Sequence, residues 1–197
     1  MADLLGRSFL ECDLLVVKDP RACRLVPLWH DLLADLEADL LAVIPLRSPG
    51  EVAKSLAARS GTPLDVAVAL WLRHVIDAES ATRQVNRAIV WYDDLLTDPV
   101  ATADKIARQL DVVWPNQPES VRAEIGSFIS PGLRHHAEKA APLPGTLSPL
   151  AARVAALMEQ LAAGAYHPAA LAELDEIGAA LDRATGVIRP HVPLDVV

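Results

Sequence analysis

The sequence predicts an α/β fold: a parallel β-sheet flanked by helices, followed by a mostly helical C-terminal tail. Three observations carry this reading. Residues 14–18, 41–46 and 88–92 are short runs of near-continuous apolar character, as strands covered on both faces require. Helical periodicity fills the stretches between them, the crossover that parallel pairing needs. Beyond residue 113 strand signals stop, and Ala- and Leu-rich helical periodicity takes over.

Each element has a local justification. After the first run, Leu28, Leu32, Leu36 and Leu40 repeat at helical spacing, with Asp31, Asp35 and Asp39 on another face, so residues 25–39 read as an amphipathic helix. The second run ends at Arg47. Ser48, Pro49 and Glu51 then mark a helix start, with Ser as N-cap, Pro at the first helical position and Glu three after the cap. Thr62-Pro63-Leu64-Asp65 opens a helix to about residue 85, and Asp98-Pro99 opens another to Leu110. Trp114 and Pro115 break the pattern. Residues 118–129 read as a short helix, 130–148 as an irregular Pro- and Gly-containing segment, and 149–164 with 168–185 as an α-hairpin. The expected organisation is an α/β core over residues 1–140 and a helical extension over 141–197 packing on it.

Composition narrows the function. Hydrophobic residues make up 52% and charged residues 22% of 197, which supports a real core and excludes wholesale disorder. A net charge of -8 argues against a nucleic-acid surface or an anionic-membrane binder, both of which rely on basic footprints. No stretch approaches the ~18 apolar residues of a membrane span, and the amino terminus lacks a signal-peptide pattern. Cys12 and Cys23 have no metal-ligand spacing, so no metal is expected. A reduced, cytoplasmic protein is the expectation.

The strand ends carry the functional argument. Lys18 ends the first run, Arg47 follows the second and Tyr92 closes the third, and in a parallel sheet all three ends reach one edge. Ser55 lies seven residues beyond Ser48, close to two helical turns. Arg47 and Ser55 are thereby placed to grip one phosphate. A bland reading stands beside each: a snorkelling Lys18, an Arg47 paired with Asp19 or merely at the surface, and a Tyr92 that caps the core.

Four motifs occur in order. They are Val17-Lys18-Asp19-Pro20-Arg21, then Ile44-Pro45-Leu46-Arg47-Ser48-Pro49-Gly50-Glu51-Val52-Ala53-Lys54-Ser55, then Leu70-Trp71, then Trp91-Tyr92-Asp93-Asp94-Leu95. Together they resemble the bacterial sulfotransferase family, which has a P-loop-type nucleotide-binding fold and uses 3′-phosphoadenosine 5′-phosphosulfate (PAPS) as sulfuryl donor. The similarity covers roughly residues 12–140. It implies that Arg47 and Ser55 bind the donor's 3′-phosphate, that Tyr92 lies near the adenine, and that Arg134 closes on the 3′-phosphate. It also implies that Lys18 and Asp19 lie near the sulfuryl group or acceptor. Asp93 stands where the family more often has Glu. His135 and His136 are readable as titrating groups or as surface residues.

The family's first strand and 5′-phosphosulfate loop are not found: only about a dozen residues precede residue 14. Arg59-Ser60-Gly61-Thr62 superficially resembles such a loop, but no strand precedes it, and it reads as a turn plus N-cap. The implied chemistry is sulfuryl transfer from PAPS to a hydroxyl or amine of a small-molecule or glycan acceptor. The alternative is a non-catalytic relative acting as an interaction or scaffold protein. The missing strand predicts an exposed sheet edge, covered by a second copy or a partner chain.

Overall fold

The computed structural model describes residues 12–116, 119–129, 145–164 and 167–185. These form a mixed α/β structure that is mostly helical. A 3₁₀ turn (Ala22–Arg24) leads to α1 (Val26–Ala34), β1 (Ala42–Leu46), α2 (Pro49–Ser60), α3 (Leu64–Ala81) and β2 (Arg87–Trp91). There follow α4 (Tyr92–Thr97), α5 (Pro99–Leu110), α6 (Arg122–Phe128), α7 (Ser148–Ala162) and α8 (Pro168–Thr185). The two strands pair in parallel, Ala42 opposite Arg87 through Leu46 opposite Trp91.

The first of the three expected strands is absent among the described residues, which corrects the sequence reading. Residues 14–18 are irregular backbone, and Val16 is 76% exposed. Four apolar residues and a lysine make a strand only where a neighbour satisfies their backbone groups, and no strand among the described residues pairs with them. Coverage on both faces is also confined to β2, where Ala88, Ile89 and Val90 are buried. Strand β1 alternates, with Ile44 and Leu46 inside and Val43 and Pro45 outside. Its outer edge, which no strand among the described residues pairs, is partly blunted. Ala42 donates its N–H to Asn86 in the β2 direction (3.0 Å), so odd-numbered residues turn outward, where Pro45 has no N–H to offer.

Helix ends follow backbone chemistry. The α1 helix stops five residues before the expected end. Glu37 adopts φ 53°, its N–H bonds to Ala34 O (3.2 Å), and the Ala38 N–H reaches back to Leu33 O (3.0 Å). That double closure is a Schellman ending with Glu in the place glycine usually takes. Gly61 does the same service for α2 at φ 66°, its N–H bonding to Ala57 O (2.9 Å). The turn after α2 is tied by Ser60 and Thr62 hydroxyls 2.8 Å apart, and the residue that precedes α3 is Pro63, not Thr62. At α5 the Asp98 carboxylate accepts from the Ala101 N–H (3.0 Å), the N-cap bond the sequence predicts.

Helix α3 is the centre of the core. Ala67, Val68, Trp71, Leu72, Val75, Ile76 and Glu79 are all buried on it, pairs recurring every four residues as a broad buried stripe demands. The six apolar members pack with Ile44, Leu46 and Ile89 from the sheet and with Val154, Leu157, Met158 and Leu174 from α7 and α8 in one continuous cluster. The hairpin of α7 and α8 therefore packs on the core and supplies part of it; the expected boundary at residue 140 lies outside the described residues.

Ion pairs reinforce the α3–α8 contact. Arg73 is held by Asp77 and Asp182. Glu79, at 0% exposure, accepts from both Arg83 and Arg87, and Arg83 also bonds Asp175 on α8 (2.8 Å). A buried charge of this kind persists only when paired and hydrogen-bonded.

Candidate anion site

Leu46 and Trp91 are partners in the parallel register. The next residues, Arg47 and Tyr92, therefore leave the sheet side by side at its C-terminal edge, where open α/β sheets bind ligands. The Arg47 guanidinium lies over the Tyr92 ring, 4.4 Å from its centroid, a cation–π contact that fixes one face of the cation. The backbone beneath it is anchored by Trp71 of α3, whose indole N–H donates to the Arg47 carbonyl (3.1 Å).

The remaining coordination of Arg47 is sparse. Nη2 lies 3.6 Å from Glu51 Oε2, an ion-pair distance longer than a hydrogen bond. Nε is buried without a hydrogen-bond partner, an arrangement that costs on the order of 1–3 kcal/mol. The Arg47 side chain is 32% exposed and that of Glu51 15%. The cation is thus oriented, half-buried and incompletely paired. It stands at the start of α2, whose first N–H groups add partial positive charge.

Helix α2 begins at Pro49 with Ser48 as its cap residue, as the sequence predicts, but Ser48 makes no side-chain cap bond. The expected reciprocal box is replaced by the turn of Glu51 towards Arg47. Ser55 lies on the same helix and is partly buried; no hydrogen bond links it to Arg47.

Lys18 and Asp19 are not joined to this edge by any hydrogen bond, ion pair or ring contact among the described residues. Lys18 is exposed on irregular backbone. Asp19 is committed to Arg21: Oδ1 accepts from the Arg21 backbone N–H (2.8 Å) and Nε (3.1 Å), and Oδ2 accepts from Nη2 (2.9 Å). The Arg21 guanidinium and, after it, its backbone N–H hold the Asp19 carboxyl at about 2, far below the range of a general base at neutral pH. The following turn docks further along α3, with Arg24 Nε 4.0 Å from Asp77. Asp77 lies six residues, ~9 Å of helix, from Trp71. Burial, with Asp77 alongside, pushes the Cys23 thiol up, the direction of an inert cysteine. Arg134, His135 and His136 lie outside the described residues.

Two contributors went unassigned in the sequence. Trp71 was visible only as part of a motif, because its bond to a backbone carbonyl 24 residues away has no local signature. The sequence marks Glu51 as a capping residue, although its i,i+4 spacing from Arg47 is that of a helical ion pair.

Among the described residues, no group of three or more His, Cys, Asp or Glu could hold a metal ion, and no helix is long and apolar enough to cross a membrane. No family model, curated protein or solved structure matches the chain.

Proposed function

We propose that the Arg47–Tyr92 edge binds the 3′-phosphate and adenine of PAPS or its product, and that the chain is a P-loop-type, sulfotransferase-like protein. One observation carries the reading: a half-buried arginine stacked on a tyrosine at the sheet's C-terminal edge, with a buried Nε donor left unbonded. A phosphate bonds the exposed part of this guanidinium through charge-assisted hydrogen bonds and reaches the buried Nε once the side chain turns to uncover it, and the aromatic ring offers a face to a purine. In the proposed transfer the acceptor oxygen or nitrogen attacks sulfur and the sulfur–bridge-oxygen bond breaks. Adenosine 3′,5′-bisphosphate leaves and the acceptor's proton passes to a base. Ser55 and Arg134 complete the 3′-phosphate grip in this reading, and Lys18 approaches the sulfuryl group only if the first segment moves onto the edge. With Asp19 held by Arg21, the base is a group other than Asp19 unless that pair opens.

A second reading, a non-catalytic relative acting as an interaction protein, is favoured by the outer edge of β1, which no strand among the described residues pairs, and by the exposure of Leu15, Val16 and Val17. Under it the nucleotide edge is vestigial and the apolar segment meets a partner chain or a second copy.

Calorimetry with adenosine 3′,5′-bisphosphate tests the first reading. Micromolar binding that weakens at least tenfold in Arg47→Ala is expected, with Tyr92→Leu weakened less. No binding by folded wild-type protein, or binding indifferent to Arg47→Ala, overturns it. Light scattering addresses the second reading, which a monomer with no captured partner weakens.

A further inference from the structure

We infer, resting on the reading of Arg47 as a phosphate anchor, that Glu51 is a built-in competitor for that anchor and sets the affinity of the site for phosphomonoesters.

The argument starts from where the carboxylate has gone. At the third position of α2 an acidic side chain ordinarily turns back to the cap residue's N–H while the cap hydroxyl bonds forward. Here Ser48 makes no such bond, and the Glu51 carboxylate lies 3.6 Å from the Arg47 guanidinium. It neutralises the half-buried cation without engaging it: the distance is too long for a hydrogen bond, and Nε stays unbonded.

The guanidinium has little room for two anions. Tyr92 covers one face and Glu51 lies against Nη2. A phosphate approaching Nη2 meets a carboxylate already there, and like charges sharing one cation repel. A phosphomonoester dianion, able to accept two short hydrogen bonds from the guanidinium edge, displaces Glu51. A monoanion such as a phosphodiester or a carboxylate gains less from the exchange. Glu51 thereby pairs Arg47 when no ligand is bound and selects against singly charged ligands.

The decisive comparison is wild type, Glu51→Gln and Glu51→Ala in two measurements, calorimetry with adenosine 3′,5′-bisphosphate and thermal unfolding. Both substitutions remove the carboxylate, so a folding defect in one leaves the other decisive. Each should tighten nucleotide binding about fivefold, the scale of a partly exposed ion pair, while lowering Tm slightly through loss of the pair and of the favourable charge at the helix start. Opposite signs in the two readouts are the signature of a competitor; a merely structural Glu51 moves both downward. Binding in the variants alone also supports the inference. If wild type binds and neither variant binds more tightly, the role of Glu51 is overturned while the nucleotide reading stands. If none of the folded proteins binds, the phosphate-anchor reading fails and this inference fails with it.

Discussion

The two ends of the sheet use arginine in opposite ways. Where β2 begins, Arg83 and Arg87 converge on the fully buried Glu79. Arg83 Nε reaches both carboxylate oxygens (2.9 and 3.0 Å), its Nη2 reaches Oε2 (2.6 Å) and its Nη1 reaches Asp175 (2.8 Å). Arg87 Nη2 reaches Oε1 (3.0 Å) and Nη1 reaches the Thr82 hydroxyl (3.1 Å). Where the strands end, Arg47 has one ion pair at 3.6 Å, a ring beneath it and an unbonded Nε. Saturated arginines brace the fold. An oriented arginine with an unsatisfied donor has capacity left for a ligand, and its state of coordination is the more telling property.

The largest expected effect tests the braced end. Glu79→Ala leaves Arg83 and Arg87 without their shared buried carboxylate, and loss of one partner from a buried pair costs about 3–5 kcal/mol. Urea unfolding should show this as a lower midpoint. A loss under about 1 kcal/mol would mean that solvent reaches these charges and that the contrast between the two ends is false. Arg47→Ala should do the reverse. It removes a cation with an unsatisfied donor, so stability changes little, by about 1 kcal/mol or less, while nucleotide binding is lost. A large fall in stability would reclassify Arg47 as a brace.

A smaller effect separates the members of the braced cluster. Asp175 is 54% exposed yet bonds Arg83 across the α3–α8 contact. Since Glu79 already saturates much of that guanidinium, Asp175→Asn should cost only about 0.2–1 kcal/mol in urea unfolding. A cost equal to that of Glu79→Ala would show that the α8 contact, not the buried carboxylate, carries the brace.

The sequence disclosed these regions unequally. Helices α2, α5 and α8 begin at Pro49, Pro99 and Pro168, as read, because a proline at the first helical position is a local signal. Arg47 and Tyr92 were legible as strand-end residues because a parallel register delivers both to one edge. Lys18 was misplaced for the complementary reason: whether residues 14–18 become a strand depends on a neighbour, and nothing within the run encodes one. Helix α4 has no sequence signal because it starts directly at the end of β2, with Trp91 in the cap position and no polar cap or loop to announce it. The Arg83–Asp175 and Arg73–Asp182 contacts join residues 92 and 109 apart, beyond any periodicity argument.

A third arginine–carboxylate pair, Asp19 with Arg21, completes the comparison because it is strong, local and exposed. Its carboxyl lies at about 2 against an ordinary 3.8. The sign follows from that depression: the pair's contribution is fully present above pH 3.8 and is lost as pH falls through about 2. Because the group is open to solvent, the change should be confined to the turn. In an acid titration followed by NMR, the Arg21 amide resonance, whose N–H donates to Asp19 Oδ1, should move with a midpoint near 2. Asp19→Asn should abolish that movement and leave nucleotide affinity at Arg47 unaltered at neutral pH. A midpoint near the ordinary carboxyl value would show that the Arg21 bonds do not persist in solution and would free Asp19 for the acceptor side of the proposed reaction. An effect of Asp19→Asn on nucleotide affinity would bring the first segment to the sheet edge, joining a region that no hydrogen bond or ion pair among the described residues links to Arg47.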